Sequence, residues 1–244
     1  MLRRSFLGLV AGFLAWRTGV APAAGRAADL RDAPLELTGD WGESPPPAAE
    51  VVIARMRQVS LAGVRLLSDQ QPDSVRVQSN RTGPPAIWLH DDRSRTAWIV
   101  VDIGGRDWCK LAYQFGHELG HVLANSWGPQ AKPQPPCQWL EEALVEAFSI
   151  RGLGLLAESW ETNPPFAGDA PFAQAIRQYR TGVIAGYTKA DDPTSDAAFS
   201  TWFPGMRGAL EASGGLNPIQ GPVIRQILAQ LERDRTARQV ARLQ

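Results

Sequence analysis

The spacing of apolar residues divides the chain into a front part with short strands and a rear part that is mostly helical. Over residues 48–61, apolar side chains recur at helical spacing, and Gly63 follows as a helix stop. Short β-like runs come next, punctuated by Asp, Asn, Gly and Pro: residues 64–67, 75–77, 86–89 and 97–103. These runs predict the strands of a small sheet.

Helical patterns account for most of the chain after the last predicted strand. Asp107 is a suitable N-cap for a helix that reaches about Asn125. A second helical pattern begins at Trp139 and is predicted to end near residues 151–152. Further helices are predicted over residues 170–185, 196–212 and 218–243. Short strands followed by a run of helices predict an α+β fold.

Residues 1–23 have the features of an export signal. A positively charged start is followed by an apolar run over residues 7–16, which is too short to span a bilayer, and by small residues around Ala23. The pair Arg3 and Arg4 favours a twin-arginine signal over a plain secretory one. We therefore expect an exported protein, periplasmic or secreted, with no membrane span in its mature form.

The overall composition is that of an ordinary globular protein. Of the 244 residues, 44% are hydrophobic and 20% are charged, which is enough apolar material for one domain of good size. The formal net charge is +0, and no basic patch with interleaved aromatic residues is present, so nucleic acid is not expected as a partner. Residues 24–47 are rich in Ala, Pro, Gly and acidic residues, which predicts a loose N-terminal arm.

The segment around His117 carries the most specific chemical signal in the chain. His117, Glu118 and His121 read H-E-x-x-H within an apolar helical pattern. Residues four apart on a helix lie on one face, so both histidines can offer a ring nitrogen to one metal ion. This is the arrangement of zinc hydrolases, in which the glutamate is the general base toward a metal-activated water. Such a zinc ion needs a third protein ligand.

A second motif, about twenty residues downstream, offers carboxylates for that role. Glu141 and Glu142 lie in an apolar helical pattern, and Glu146 follows Glu142 by one turn. Together the two motifs resemble the gluzincin metallopeptidases, which include thermolysin-like enzymes, zinc aminopeptidases and peptidase MA-like proteins, and whose downstream helix often reads W-L-x-E-G-x-A-E. The resemblance implies that Glu142 is the third metal ligand and that Glu146 accepts a hydrogen bond from a ligand histidine.

The choice between Glu141 and Glu142 stays open at this point, because the sequence departs from the family pattern in two places. Ala143 stands where relatives usually have Gly, and Glu141 stands where aminopeptidases often have Asn. Glu142 is favoured because it places Glu146 four residues further along the same helix face.

The resemblance covers roughly residues 110–150 and implies a zincin-like fold. A small mixed sheet and helices would lie over the metal-binding helix in an upper lobe of about residues 48–126. A mostly helical lower lobe would follow over about residues 138–244, so that residues 48–244 form the peptidase domain. An edge strand, either 86–89 or 97–101, would pair with the extended backbone of the substrate.

The function implied by the resemblance is that of an exported peptidase with one Zn²⁺ ion, acting on a peptide or protein substrate. Two alternatives fit the same residues. One is a catalytically inactive zincin-like module for binding or envelope assembly. The other is a zinc hydrolase of a different amide bond, such as a cell-wall cross-link.

Four residues outside the two motifs are further candidates, and a fifth, His90, is not expected to take part. Many gluzincins use a downstream Tyr or His to stabilise the oxyanion, and Tyr179 or Tyr187 could do this, although both also suit ordinary packing. His90 lacks ligand spacing and is expected to be a loop histidine. Cys109 and Cys137 each precede a ligand-bearing helix and would form a disulfide in an oxidising compartment. Two free thiols are one alternative, and zinc ligation by the thiolates is a weaker one, because two His and a Glu already make a catalytic set.

Overall fold

The computed structural model describes residues 29–241, apart from residues 67, 69, 81, 82, 91–94, 129 and 131–133. The described residues form four β-strands and six α-helices, which confirms the α+β class. In chain order they are β1 Leu35–Gly39, α1 Pro46–Leu61, β2 Ser74–Ser79, β3 Ala86–Ile87, β4 Thr96–Val101, α2 Trp108–Leu123, α3 Gln138–Thr162, α4 Phe172–Gly186, α5 Asp196–Glu211 and α6 Gly221–Ala241. The predicted export signal over residues 1–23 lies outside the described residues. None of the described helices has the length and apolarity that a membrane crossing requires.

The sheet is small and mixed, with the strand order β1-β2-β4-β3. β1, β2 and β4 run parallel, whereas β3 lies antiparallel to β4 at one edge. Alternate residues of β2, Val75 and Val77, point into the core, as the two-residue period of a strand requires. The pairing of β3 extends beyond its two residues, because the backbone N–H of Trp88 donates to the carbonyl of Trp98 at 2.8 Å.

The segment ahead of α1 is ordered, so the prediction of a loose arm is wrong for residues 29–47. Leu35 and Leu37 belong to β1, which pairs in parallel with β2. Leu30 and Trp41 on either side of this strand are buried in the core. The alternation of apolar and polar residues in this strand is short, and the Ala, Pro and Gly residues around it favoured the prediction of an irregular segment. The strand predicted over residues 64–67 is also wrong, since residues 64–66 are irregular and residue 67 lies outside the described part.

α2 begins where the sequence predicted. The Asp107 side chain accepts a hydrogen bond from the backbone N–H of Lys110 at 3.0 Å and so caps the helix. Asn125, just past the end, has a φ of 66°, a left-handed conformation that asparagine tolerates. A buried apolar stripe packs this helix against β4 and α1, and it consists of Leu111, Phe115, Leu119 and Val122.

α3 runs to Thr162, well beyond the predicted end near residues 151–152. The prediction treated Gly152 as a helix stop, but Gly152 lies where α3 crosses α1. A Cβ atom there would collide with the side chains of Met56 and Ser60. The glycine therefore permits close helix packing rather than ending the helix. Beyond it, Leu153 and Trp160 are fully buried.

α3 is the helix that the two hydrophobic cores share. One core contains the sheet, α1, α2 and part of α4. The second core forms around Trp139, Ala143 and Ile150 of α3, which pack with Leu210 of α5 and Ile224 of α6. A helix with packing partners on several sides must be apolar around most of its circumference. α3 therefore lies between the sheet side of the molecule and its helical side.

The disulfide predicted between Cys109 and Cys137 is not formed, and both cysteines are free thiols. Cys109 is buried in the core on the first turn of α2, whereas Cys137 is exposed just before α3. Their side chains therefore occupy different environments. Burial, together with the nearby Asp107 carboxylate, raises the pKa of the Cys109 thiol to about 11.

Gly120 sets the distance between α2 and α3. A Cβ atom on Gly120 would lie 2.7 Å from the Cβ of Val145 and 3.1 Å from its Cα. A side-chain rotation cannot relieve these contacts, so the two helices would have to move apart. We expect Gly120→Ala to lower the free energy of unfolding by about 1–3 kcal/mol, because overpacking outweighs the better helix propensity of alanine. Gly182 in α4 has open space around it, so Gly182→Ala should raise the same quantity by about 0.5–1 kcal/mol. Urea unfolding of both metal-free variants measures this, and equal effects would contradict the packing account.

Candidate metal centre

Three side chains from two helices converge beside the sheet. Nε2 of His117 lies 3.5 Å from Oε2 of Glu142, and Nε2 of His121 lies 3.6 Å from the same oxygen. The three ligand atoms all lie within 4.8 Å of one another. Two ligands that are each about 2.1 Å from a tetrahedral ion are about 3.4 Å apart. His117, His121 and Glu142 could therefore hold a metal ion with little rearrangement.

The outer ring nitrogens of both histidines are held by glutamates. Nδ1 of His117 lies 2.8 Å from Oε2 of Glu146, which is the contact that the family resemblance implied. Nδ1 of His121 lies 2.7 Å from Oε1 of Glu141. A carboxylate accepts a hydrogen bond, so each Nδ1 carries a proton, and each Nε2 is the ring nitrogen that remains available to a metal ion.

These contacts decide between the two candidate carboxylates. Glu142 faces the Nε2 atoms of both histidines, whereas Glu141 lies behind His121 on its Nδ1 side. The geometry therefore favours Glu142 as the ligand and gives Glu141 the task of orienting His121. That task of Glu141 was missed from the sequence.

The site is built by two facing stripes of side chains. On α2, Tyr113, His117 and His121 follow one another at intervals of four residues and so share a face. On α3, the facing residues Glu142 and Glu146 are also four apart. The close approach of the helices at Gly120, described above, lets the two stripes meet.

Burial and ion pairing shift the proton equilibria of the ligand residues. Burial alone would lower the pKa of both histidines. Hydrogen bonds to Glu142 and Glu146 instead raise the pKa of His117 to about 10, and those to Glu141 and Glu142 raise the pKa of His121 to about 9. Burial acts to raise the pKa of Glu142, but its hydrogen bonds from the two rings lower it to about 2. The metal-free site therefore holds two protonated rings and an ionised carboxylate at neutral pH.

Metal binding should consequently release protons. A ligand histidine must be neutral, so an ion that binds below about pH 9 displaces one proton from His117 and one from His121. Both pKa values are raised, so the cost of this displacement is present at neutral pH and disappears as the pH rises through about 10. We expect zinc affinity to rise roughly a hundredfold per pH unit around neutrality, about tenfold for each proton. Zinc titration calorimetry in buffers of different ionisation enthalpy counts these protons, and release of none would contradict the assignment.

Glu118 lies next to the ligand residues and is buried, with 3% of the residue exposed. Burial raises its pKa, while the two ligand histidines act in the opposite direction and reduce the shift. Glu118 lines the same cleft as His117, His121 and Glu142. It is therefore a buried carboxylate beside the metal-binding group and in contact with the cleft.

The cleft in front of the ligands is a cavity of about 480 Å³. β3 and the loop that precedes it form one wall, to which Ala86, Ile87 and Leu89 contribute, whereas none of the described residues 97–101 lines the cleft. Ser126 and Gln138, at the two ends of the α2–α3 connection, also line it, as does Leu216 from the segment before α6. The Ser126 hydroxyl is buried and has no hydrogen-bond partner within the described part of the chain.

The tyrosine that faces the cleft is Tyr113, which the sequence analysis missed. Its hydroxyl donates to Oε1 of Glu146 at 2.6 Å. Tyr179 and Tyr187, the two predicted candidates, are not among the described residues that line the cleft. Tyr179 packs its ring against Tyr113, and Tyr187 lies near Tyr113 and Glu146. The four-residue spacing between Tyr113 and His117 was the signal that could have identified it.

His90 does not belong to the metal-binding group. A nitrogen of its ring lies 2.9 Å from the carbonyl oxygen of Thr96, and the ring packs beside Trp98. His90 lies in the loop that follows β3, as the sequence predicted.

Comparisons with known proteins do not name a relative. No protein family, curated protein or solved structure matches this chain. The function must therefore be inferred from the residues of the site themselves.

Proposed function

We propose that this protein is a zinc-dependent peptidase of the gluzincin type, with a zincin-like fold. The observation that carries the proposal is the convergence of two imidazole Nε2 atoms and one carboxylate oxygen on a cleft that Glu118 also lines. Nitrogen and oxygen ligands of this kind suit zinc. Three protein ligands also favour a catalytic site over a structural one, because structural zinc sites take four.

Zinc bound there would supply Lewis-acid chemistry, polarising the scissile carbonyl and making water acidic near neutral pH. Glu118 takes the proton from the attacking water and passes it to the leaving amine. Burial raises the pKa of Glu118, which supports this role because a more basic carboxylate takes a proton from water more readily. His117, His121 and Glu142 hold the ion, and Glu141 and Glu146 orient the two rings.

The shape of the cleft supports a peptide substrate. β3 is one of the two edge strands of the sheet, and an extended peptide can add to such an edge through backbone hydrogen bonds. The cleft lies between this edge and the helices that carry the ligands. Its walls include apolar side chains, among them Ile87, Leu89 and Leu216, which can contact the side chains of a bound peptide. The export signal that the sequence predicts over residues 1–23 leads us to propose that hydrolysis takes place outside the cytoplasm.

Metal removal and restoration test this function. Protein stripped with a chelator should not cleave an unfolded protein substrate, and one equivalent of Zn²⁺ should restore cleavage. The restored rate should follow the fraction of protein that carries zinc. Stoichiometric zinc binding without cleavage of several unfolded substrates would contradict the peptidase proposal and favour a binding module.

A further inference from the structure

Glu146 is the most deeply buried carboxylate of the site. It is 0% exposed, and a carboxylate without water needs protein donors for its oxygens. Oε2 is engaged by Nδ1 of His117 at 2.8 Å, and Oε1 is engaged by the hydroxyl of Tyr113 at 2.6 Å. The two donors hold opposite oxygens and so fix the rotation of the carboxylate plane.

Tyr113 is itself held firmly. Its backbone carbonyl accepts a hydrogen bond from the Ser149 hydroxyl of α3 at 2.7 Å, and its ring packs against Tyr179 with centroids 5.9 Å apart. Burial, followed by the charge of Glu146, raises the pKa of the Tyr113 phenol, so its hydroxyl stays protonated and is able to donate to the carboxylate. An O–H···O⁻ bond of this length is a strong, charge-assisted one.

We infer that Tyr113 is a positioning residue for the metal centre, acting through Glu146 on His117. Its hydroxyl fixes one oxygen of Glu146, so the other oxygen holds Nδ1 of His117 and Nε2 points toward the metal side. His121 has a different arrangement, because its partner Glu141 has a side chain that is 16% exposed. The orientation of His117 therefore depends on a buried chain of side chains, and that of His121 depends on a partly solvated glutamate.

This inference rests on the proposed metal site but not on hydrolysis, so metal affinity is the readout. Loss of a group that orients a ligand typically costs 10–100-fold in metal affinity. Tyr113 contacts Glu146 and not the ligand His117 itself, so its effect should lie at the low end of this range. We expect Tyr113→Phe to weaken zinc binding by roughly tenfold. Tyr179→Phe is the matched control, since it removes the hydroxyl of the neighbouring ring, and it should leave the affinity unchanged.

Competition with a chromophoric chelator measures zinc affinity in five proteins: the wild type, Tyr113→Phe, the control Tyr179→Phe, Glu146→Gln and the double variant Tyr113→Phe/Glu146→Gln. If Tyr113 acts through Glu146, then Tyr113→Phe should have little further effect in the Glu146→Gln background. Equal zinc affinities of the wild type and Tyr113→Phe would overturn the inference. A double variant that binds zinc tenfold more weakly than Glu146→Gln would overturn it as well. A wild type that binds no zinc would instead overturn the metal centre itself.

A second measurement separates positioning from general destabilisation. In the zinc-loaded protein, nuclear magnetic resonance follows the exchange of the two histidine Nδ1 protons with water. Tyr113→Phe should accelerate exchange at His117 and leave His121 unchanged, so His121 is an internal control within the same molecule. Equal acceleration at both rings would mean a loosened fold and would overturn the positioning role.

Discussion

Glu142→Gln is expected to weaken zinc binding by more than about a hundredfold, beyond the range for a residue that only orients a ligand. The carboxylate oxygen of Glu142 lies within 3.6 Å of both ligand nitrogens, so it supplies the negative charge that faces the ion. An uncharged amide of the same size keeps the shape of the site and removes that charge. The loss should therefore appear in metal content after dialysis, while the metal-free variant stays folded.

Glu141→Gln is the matched control for this prediction. Glu141 precedes Glu142 in sequence but contacts only the Nδ1 side of His121 among the ligand groups. We expect this variant to bind zinc about 10–100-fold more weakly than the wild type, and always more tightly than Glu142→Gln. The reverse order of the two affinities would show that Glu141 is the ligand.

Glu118→Gln is expected to reduce kcat by about 10²–10⁴-fold and to leave zinc affinity nearly unchanged. Glutamine has the shape of glutamate but cannot take a proton from water, and Glu118 is not one of the three converging ligand residues. The rate is measured with a peptide that the wild type cleaves, and bound zinc is measured on the same samples. A variant that keeps both its zinc and its turnover would show that another residue is the general base.

The sequence brought the two histidines of the candidate metal centre together because their spacing is local. His117 and His121 are four apart on one helix, and this alone places both rings on one face. The choice between Glu141 and Glu142 could not be made from local spacing. It depends on how α3 is rotated relative to α2, and the close packing of Val145 against Gly120 is one of the contacts between these helices. That contact joins residues 25 positions apart, and no local pattern encodes it.

The errors in the predicted fold have physical causes of the same type. β1 is only five residues long and becomes a strand by pairing with β2, which lies 40 residues further along the chain. Gly152 reads as a helix stop in sequence, but tertiary packing against Met56 explains it. The two cysteines were predicted to pair because each precedes a ligand helix, yet only one of them faces the core. In each case a long-range contact outweighed the local signal.

The most direct test of the central claim is a digest of an unbiased peptide pool, read by mass spectrometry, with wild type and Glu118→Gln compared side by side. The account predicts new peptide termini in the wild-type digest alone, and their loss when a chelator is added. It also predicts that the termini return with zinc. Identical digests from two proteins that both carry one zinc ion would contradict the claim that His117, His121 and Glu142 hold a catalytic metal served by Glu118.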